Sequence, residues 1–190
     1  MIIYDNWLDK FKNYIEKVDT PIIDLGCGIG NDTLYLINKN KKVISVDFSE
    51  KALQILKKNI PAAQTVKMDI ENNYKLKQNS VDLIIANLSL HYFNEEKMFD
   101  IIDKIRDTLK TDGILIFRVN SINDSNYGSN SEFEIENHYY KFLDINKRFF
   151  DVDDIKYFFK GWDILYCKEE EITTTIHSSP KILWECVVKR

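Results

Sequence analysis

The residues best suited to chemistry stand near the front of the chain, in Asp24-Leu25-Gly26-Cys27-Gly28-Ile29-Gly30. Glycines at alternate positions let a backbone turn sharply and approach a ligand with no side chain in the way. A helix that starts just beyond them presents free N–H groups. Two ligand classes use such a loop, and spacing separates them. The dinucleotide fingerprint GxGxxG requires glycine at position 31, where this chain has Asn31. Asp47 follows Gly26 by 21 residues and Asp69 follows Asp47 by 22. A carboxylate at the first of these spacings accepts hydrogen bonds from ribose hydroxyls in nucleotide-binding folds. Asn87 and His91 come next, in Asn87-Leu88-Ser89-Leu90-His91-Tyr92.

These residues need elements to place them. Ile22 to Leu25 reads as a short buried strand, and Asn31-Asp32-Thr33 starts a helix through Leu34, Leu36 and Ile37. Lys42 to Asp47 is a second strand, with Ser49 capping the helix after it. Thr65 to Met68 is a third strand and Val81 to Ala86, almost wholly apolar, a fourth. Residues 95–110 carry Met98, Ile101, Ile102 and Ile105 on one helical stripe. Asp112-Gly113 stops that helix before a fifth strand at Ile114 to Phe117. Strand–helix alternation of this kind predicts a parallel sheet with helices on both faces. An amphipathic helix precedes it, carrying Trp7, Leu8, Phe11 and Ile15. Residues 120–150 are polar and aromatic without a clean period and read as a long functional loop. A helix from Asp153 to Phe159 and an antiparallel pair, Trp162–Ile172 with Ile182–Val188, close the chain.

Composition bounds the rest. The 190 residues suit one domain, and a chain of that length builds a core without disulfide or metal staples. Twenty-six basic against 30 acidic residues, a net of −4, argue against a protein that works by neutralising nucleic-acid phosphates. Cys27, Cys167 and Cys186 form no CxxC pair and no metal-ligand spacing, so no metal is expected and reduced thiols in the cytoplasm fit. Neither a signal peptide nor an 18-residue apolar stretch is seen, so no membrane partner is expected.

The DxGxGxG loop with acids at the ends of the next two strands resembles the class I S-adenosylmethionine (SAM) methyltransferases. The resemblance implies a Rossmann-like three-layer α/β sandwich, its seven-stranded sheet mostly parallel with an antiparallel last strand. It implies a single domain over 1–190, with residues 1–19 as a helix over the cofactor site and 120–150 as a substrate lid. SAM would be held by Asp24, Gly26, Cys27, Gly28 and Gly30 of the loop and by Asp47, Phe48, Met68, Asp69 and Ile70. Asn87 would border the methionine end, and Trp7 would close over the cofactor. The plainer readings stay beside these: Asp24 as a loop cap, Cys27 as a packing residue, Asp69 as a solvated acid, Trp7 as core. The closing run from Phe149 onward is loosely similar to the tellurite-resistance and thiopurine methyltransferases.

For the acceptor, the family's nucleobase-amine methylating members carry prolines and an aromatic residue after the fourth-strand Asn. This chain has Leu88-Ser89-Leu90 there, which agrees with the acidic balance in pointing away from nucleic acid and toward a small molecule. His91 is either a general base, given the ordinary pKa of histidine near 6.5, or a lining residue. Tyr92, Tyr127, His138, Tyr139, Tyr140 and Arg148 are the expected substrate contacts, with Asn120 and Lys147 beside them. A non-catalytic SAM sensor or adaptor is the alternative, and a monomer or homodimer is expected.

Overall fold

The structure is a computed structural model and describes residues 6–124, 133–172 and 180–190. A 3-10 turn over Trp7–Phe11 runs into α1 (Lys12–Glu16), where the sequence predicts one amphipathic helix. Then follow β1 (Ile22–Leu25), α2 (Asn31–Asn38), β2 (Val43–Asp47), α3 (Glu50–Asn59), β3 (Gln64–Lys67) and β4 (Val81–Asn87). A 3-10 turn at Leu90–Tyr92 precedes α4 (Glu95–Thr108) and β5 (Leu109–Asn120). The remainder holds β6 (Glu134–Glu136), β7 (Tyr139–Phe142), β8 (Ile145–Arg148), α5 (Val152–Phe158), β9 (Asp163–Ile172) and β10 (Lys181–Lys189).

Seven strands form the main sheet in the order β3-β2-β1-β4-β5-β10-β9. β1 runs parallel to β2 and to β4, and β2 parallel to β3, with Asp24 in register with Ser45. β10 is antiparallel to β9, so the reversed strand at the chain end is confirmed. With α2 between β1 and β2, α3 between β2 and β3 and α4 between β4 and β5, this is the Rossmann-like α/β sandwich. β1 is buried along its whole length and β4 at all but two positions, as apolar strands covered on both faces must be. Met98, Ile101, Ile102 and Ile105 of α4 are buried, which matches the predicted stripe. Among the described residues no helix is long and apolar enough to cross a membrane.

Backbone contacts divide the chain into two compact units. The first comprises the chain up to Ala86, Lys104–Leu115 and Arg190; the second comprises Asn87–Asp103 and Ile116–Lys189. In the first, Leu53 and Leu56 of α3 pack with Cys27, Ile60 and Ala63, and the Ser49 hydroxyl caps α3 by accepting the Ala52 N–H at 3.2 Å. In the second, Phe149, Phe150, Phe158 and Phe159 are buried with Val187 and Val188.

Two expectations are corrected. The fifth strand begins at Leu109, and Asp112 with φ of 61° is accommodated inside it, where a helix stop and a shorter strand were expected. Residues 120–150 are not one irregular loop, since β6, β7 and β8 make a three-stranded antiparallel meander of their own. Its strands are three or four residues long and largely exposed, so no alternation marks them. Its turns pass through His138 and Leu143, both with positive φ, where a glycine signal is normally sought. Tyr127 lies outside the described residues.

Candidate functional site

In the first unit the site grows from the turn between β1 and α2. Two glycines there do different work. A Cβ on Gly30, at φ +93°, would stand 2.7 Å from Leu56 Cγ, so Gly30 lets the turn close onto α3. A Cβ on Gly28, at φ +53°, would meet nothing within 4 Å, so the space beside that backbone is open. The N–H groups of Gly26 and Cys27 donate to Val46 O at 2.8 and 2.9 Å, tying the turn to the end of β2. Asp47 completes the tie. Its Oδ2 accepts the Gly28 N–H at 2.9 Å and its Oδ1 the Ser49 N–H at 2.8 Å. Each carboxylate oxygen carries two lone pairs, so both retain acceptor capacity for a diol. Phe48, next in the chain, leaves 74% of its surface exposed.

Asp24 is buried, and its Oδ2 accepts the Thr33 hydroxyl at 2.6 Å; Thr33 in turn shares a 2.8 Å hydrogen bond with Ser45. Burial first, then the charges of Asp32 and Asp47, push the Asp24 carboxyl up to about 8, against the Thr33 hydrogen bonds. Asp32 Oδ1 accepts the Trp7 indole N–H at 2.9 Å, and Tyr35 OH donates to Asp9 at 2.7 Å. Trp7 is therefore a buried latch between the N-terminal segment and the first turn of α2. Cys27 is buried with Leu53 and Leu56, and burial followed by Asp24 and Asp47 pushes its thiol up, which suits packing and not nucleophilic attack.

Met68 is buried and accepts the Lys75 N–H on its sulfur at 3.2 Å. Asp69 is exposed and organises a turn: Oδ1 accepts from the N–H groups of Glu71 and Asn72, and Oδ2 from the Asn72 side chain at 2.9 Å. Ile70 beside it is half-buried.

In the second unit, Asn87 Oδ1 accepts from Arg118 Nε at 3.0 Å, and Arg118 lies 3.8 Å from Glu185, both side chains buried. His91 is buried in its 3-10 turn with its ring 4.2 Å from that of Tyr92. Burial, then the cations Lys181 and Lys147, lower its pKa to about 3. The imidazole is consequently neutral across the physiological range and a weak proton acceptor. Tyr92 is partly exposed, and desolvation raises its phenol.

The expected acceptor contacts in the meander have structural partners. Tyr139 OH donates to Tyr92 O at 3.1 Å. Tyr140 is half-buried with its ring 5.8 Å from Phe149. Arg148 is 2% exposed and donates to Phe93 O, Asn137 O and Glu136 Oε2, the last at 2.6 Å, while its guanidinium lies over Tyr139 and Phe158. His138 Nδ1 meets Asp154 Oδ2 at 2.7 Å. His138, Asp151 and Asp154 bring ligand atoms within 4.8 Å of one another. Yet Asp151 and Asp154 exchange the reciprocal hydrogen bonds of a capping box at the start of α5, so the cluster is a helix cap.

Sequence reasoning missed Thr33, Asp32 and Arg118. Thr33 reads as a helix-start residue, and only its three-residue spacing from Gly30 hints that it faces back toward β1. Arg118 sits in an apolar strand, and a charge amid Phe117 and Val119 was the available signal.

A glycine turn after β1 and an acid closing β2, on a sheet of this order, define a Rossmann-like α/β protein of the cofactor-binding class. Residues 22–113 match the family model described as a methyltransferase domain. The chain is 24% identical over 115 residues to an uncharacterized methyltransferase of Oceanobacillus iheyensis, covering 60% of this chain and 54% of that protein. A putative methyltransferase of a Geobacillus species is 33% identical over 126 residues, 62% of this chain and 51% of that protein. The chain thus spans about half the length of these curated relatives. The crystal structure of a SAM-dependent methyltransferase from Methanosarcina mazei superposes with a TM-score of 0.84 at 16% identity, covering 100% of this chain and 99% of that one, which establishes the fold.

Proposed function

We propose that the protein is a SAM-dependent methyltransferase acting on a small-molecule acceptor. The single observation that carries the cofactor assignment is the arrangement around Gly28. Its backbone borders open space while its N–H fixes Asp47, whose two oxygens keep acceptor capacity. A ribose diol suits that carboxylate, and the exposed ring of Phe48 suits an adenine face. Asp24, buried near Asp32 and Asp47 with a raised pKa, suits a cation, which an anionic cofactor end would not be.

When bound, SAM supplies a methyl group on a sulfonium centre, open to in-line displacement by a nucleophile. The chain's own contribution is binding and orientation. Asp47 and the Gly28 backbone fix the nucleoside end, Asp24 neutralises positive charge, and Asp69 with Ile70 borders the base. In the second unit Asn87 is oriented by Arg118. His91, held neutral, lines the acceptor region and is not a strong base. The acidic balance and the Leu88-Ser89-Leu90 sequence support a small acceptor over nucleic acid.

Calorimetry with SAM and with its demethylated product tests the assignment. Saturable binding that Asp47→Ala weakens by at least about tenfold is expected, since a charged hydrogen-bond pair is worth ~1.5–3 kcal/mol. No saturable heat, or an Asp47→Ala protein that binds as the wild type does, overturns it.

A further inference from the structure

Cys167 and Cys186 stand far apart in the sequence, yet the fold makes them neighbours. β9 and β10 pair antiparallel with Cys167 directly across from Cys186, so both side chains leave the same face of the sheet. Their sulfurs lie 3.5 Å apart, with the Cys186 S–H donating to the Cys167 sulfur. Neither cysteine is in a disulfide; Cys186 is buried and Cys167 half-buried. Both belong to the second unit, whereas Cys27 belongs to the first.

Two thiols can pack in this way simply as small apolar groups. The backbone, however, already suits a covalent bond between them. Directly opposite residues of an antiparallel pair hold their Cα atoms roughly 4.5 or 5.5 Å apart, and both separations fall within the roughly 4.4–6.8 Å that a disulfide spans. Rotation of the two side chains can therefore close the 3.5 Å gap to a bond of about 2.05 Å. The two sulfurs are also unlike. The Cys186 hydrogen bond lowers the Cys167 thiol from its ordinary value, with burial opposing and the Lys156 ammonium assisting. Burial raises Cys186 well above its own. Access and acidity thus fall on one sulfur, which is the division between an attacking thiol and a resolving one.

We propose that Cys167 and Cys186 are a peroxide-reactive dithiol that closes reversibly into a cross-strand disulfide. The Cys167 thiolate attacks one oxygen of hydrogen peroxide. The O–O bond breaks, the sulfur becomes a sulfenic acid, and the other oxygen leaves as hydroxide, which the thiol's released proton converts to water. The Cys186 sulfur then attacks the Cys167 sulfur. The S–S bond forms, the S–O bond breaks, and the departing hydroxide takes the Cys186 proton as a second water. Two thiols lose two electrons, and one peroxide gains them. A small dithiol reverses the bond by thiol–disulfide exchange. β9 ends the sheet with β10 as its neighbour, so the bond ties down the sheet edge. No part of this chemistry uses the cofactor, and it stands apart from the function proposed above.

The test titrates the full chain with hydrogen peroxide and reads intact mass and unreduced peptide maps. Expected are the loss of two hydrogens, a crosslink between the peptides of Cys167 and Cys186, Cys27 left as a thiol, and reversal by dithiothreitol. In Cys186→Ser, Cys167 should stall as a sulfenic acid that dimedone captures. In Cys167→Ser the rate of peroxide consumption should fall at least about tenfold, since the thiolate is the nucleophile. Brief iodoacetamide treatment of the native wild type needs no variant to fold: it should cap Cys167 before Cys186, and capping should abolish the mass loss. Backbone hydrogen exchange along β9 should slow in the oxidised form. Thiols that survive peroxide, or that gain oxygen without losing hydrogens, overturn the proposal, as does a disulfide that includes Cys27 or joins two chains. A Cys167–Cys186 bond that leaves β9 exchange unchanged overturns the tie at the sheet edge.

Discussion

Asp24 is the group whose charge a cationic cofactor must change, and the size of that change is measurable. With its pKa at about 8 in the ligand-free protein, the carboxyl is about nine-tenths protonated at pH 7. A cation alongside favours the anion and pulls the pKa back toward the ordinary carboxylate range. Each binding event at pH 7 should therefore release about 0.9 of a proton from this residue. The association constant should rise nearly tenfold per pH unit between pH 6 and 7 and level off above about 8. The assay is calorimetry in buffers of different ionisation enthalpy, where released protons add a heat that scales with the buffer. SAM's own α-amino group also titrates, so Asp24→Asn provides the reference: its buffer-dependent heat should lack the Asp24 share. The ligand-free protein gives an independent check. Between about pH 4 and 8 the folded state holds a proton that the unfolded state does not, so stability falls as pH rises, by at most ~1.4 kcal/mol per unit. Asp24→Asn removes that slope and should be the more stable protein at pH 8. Buffer-independent heats, with equal pH slopes for wild type and variant, would refute a protonated Asp24 and the charge argument built on it.

The two loop glycines should separate by readout. Gly30→Ala places a Cβ 2.7 Å from Leu56 Cγ at φ +93° and should cost roughly 2–4 kcal/mol in urea denaturation from overpacking plus strain. Gly28→Ala meets no neighbour, so it should cost only ~1–2 kcal/mol of stability while weakening SAM binding in calorimetry. His91, lowered to about 3, should show no ring titration by 15N NMR above about pH 5. Below pH 6.5 the unfolded chain takes up a proton that folded His91 refuses. Stability should therefore fall with falling pH by up to ~1.4 kcal/mol per unit, and His91→Gln should remove that part of the slope. Arg148→Met should destabilise by ~2–3 kcal/mol in urea denaturation, from the partners left at Asn137 O, Phe93 O and Glu136, without changing SAM affinity.

The parallel half of the fold was legible because its strands are apolar on both faces and its helices striped. Ile22–Leu25 and Val81–Ala86 cannot be anything but buried, and the residues after them are fixed at the strand ends by that burial. The meander at 134–148 was not legible. Three-residue and four-residue strands with exposed side chains carry no period, and the turns at Asn137-His138 and Leu143-Asp144 hold no glycine, with the positive φ falling on His138 and Leu143. What holds the meander is Arg148, buried with its guanidinium over Tyr139 and Phe158, and a buried arginine reads in a sequence as an exposed one. The expectation of a substrate cation at Arg148 came from that ambiguity.

The site divides the same way. Asp24 and Asp47 were readable because each is one residue type at one strand end, with glycines between to bring backbone close. Asn120 and Asp124 carry no such local mark. Asp124 stands in Ser121-Ile122-Asn123-Asp124, a polar run that describes a surface loop as well as a buried turn. It becomes a buried acid only because the Ser121 N–H bonds to Ile182 O, a contact made by a strand more than fifty residues later. Charge in a sequence is a property of residue types, whereas the field at a buried site depends on which of those charges the topology buries together. The net charge of −4 accordingly bears on long polyanions and not on the field at any one buried site.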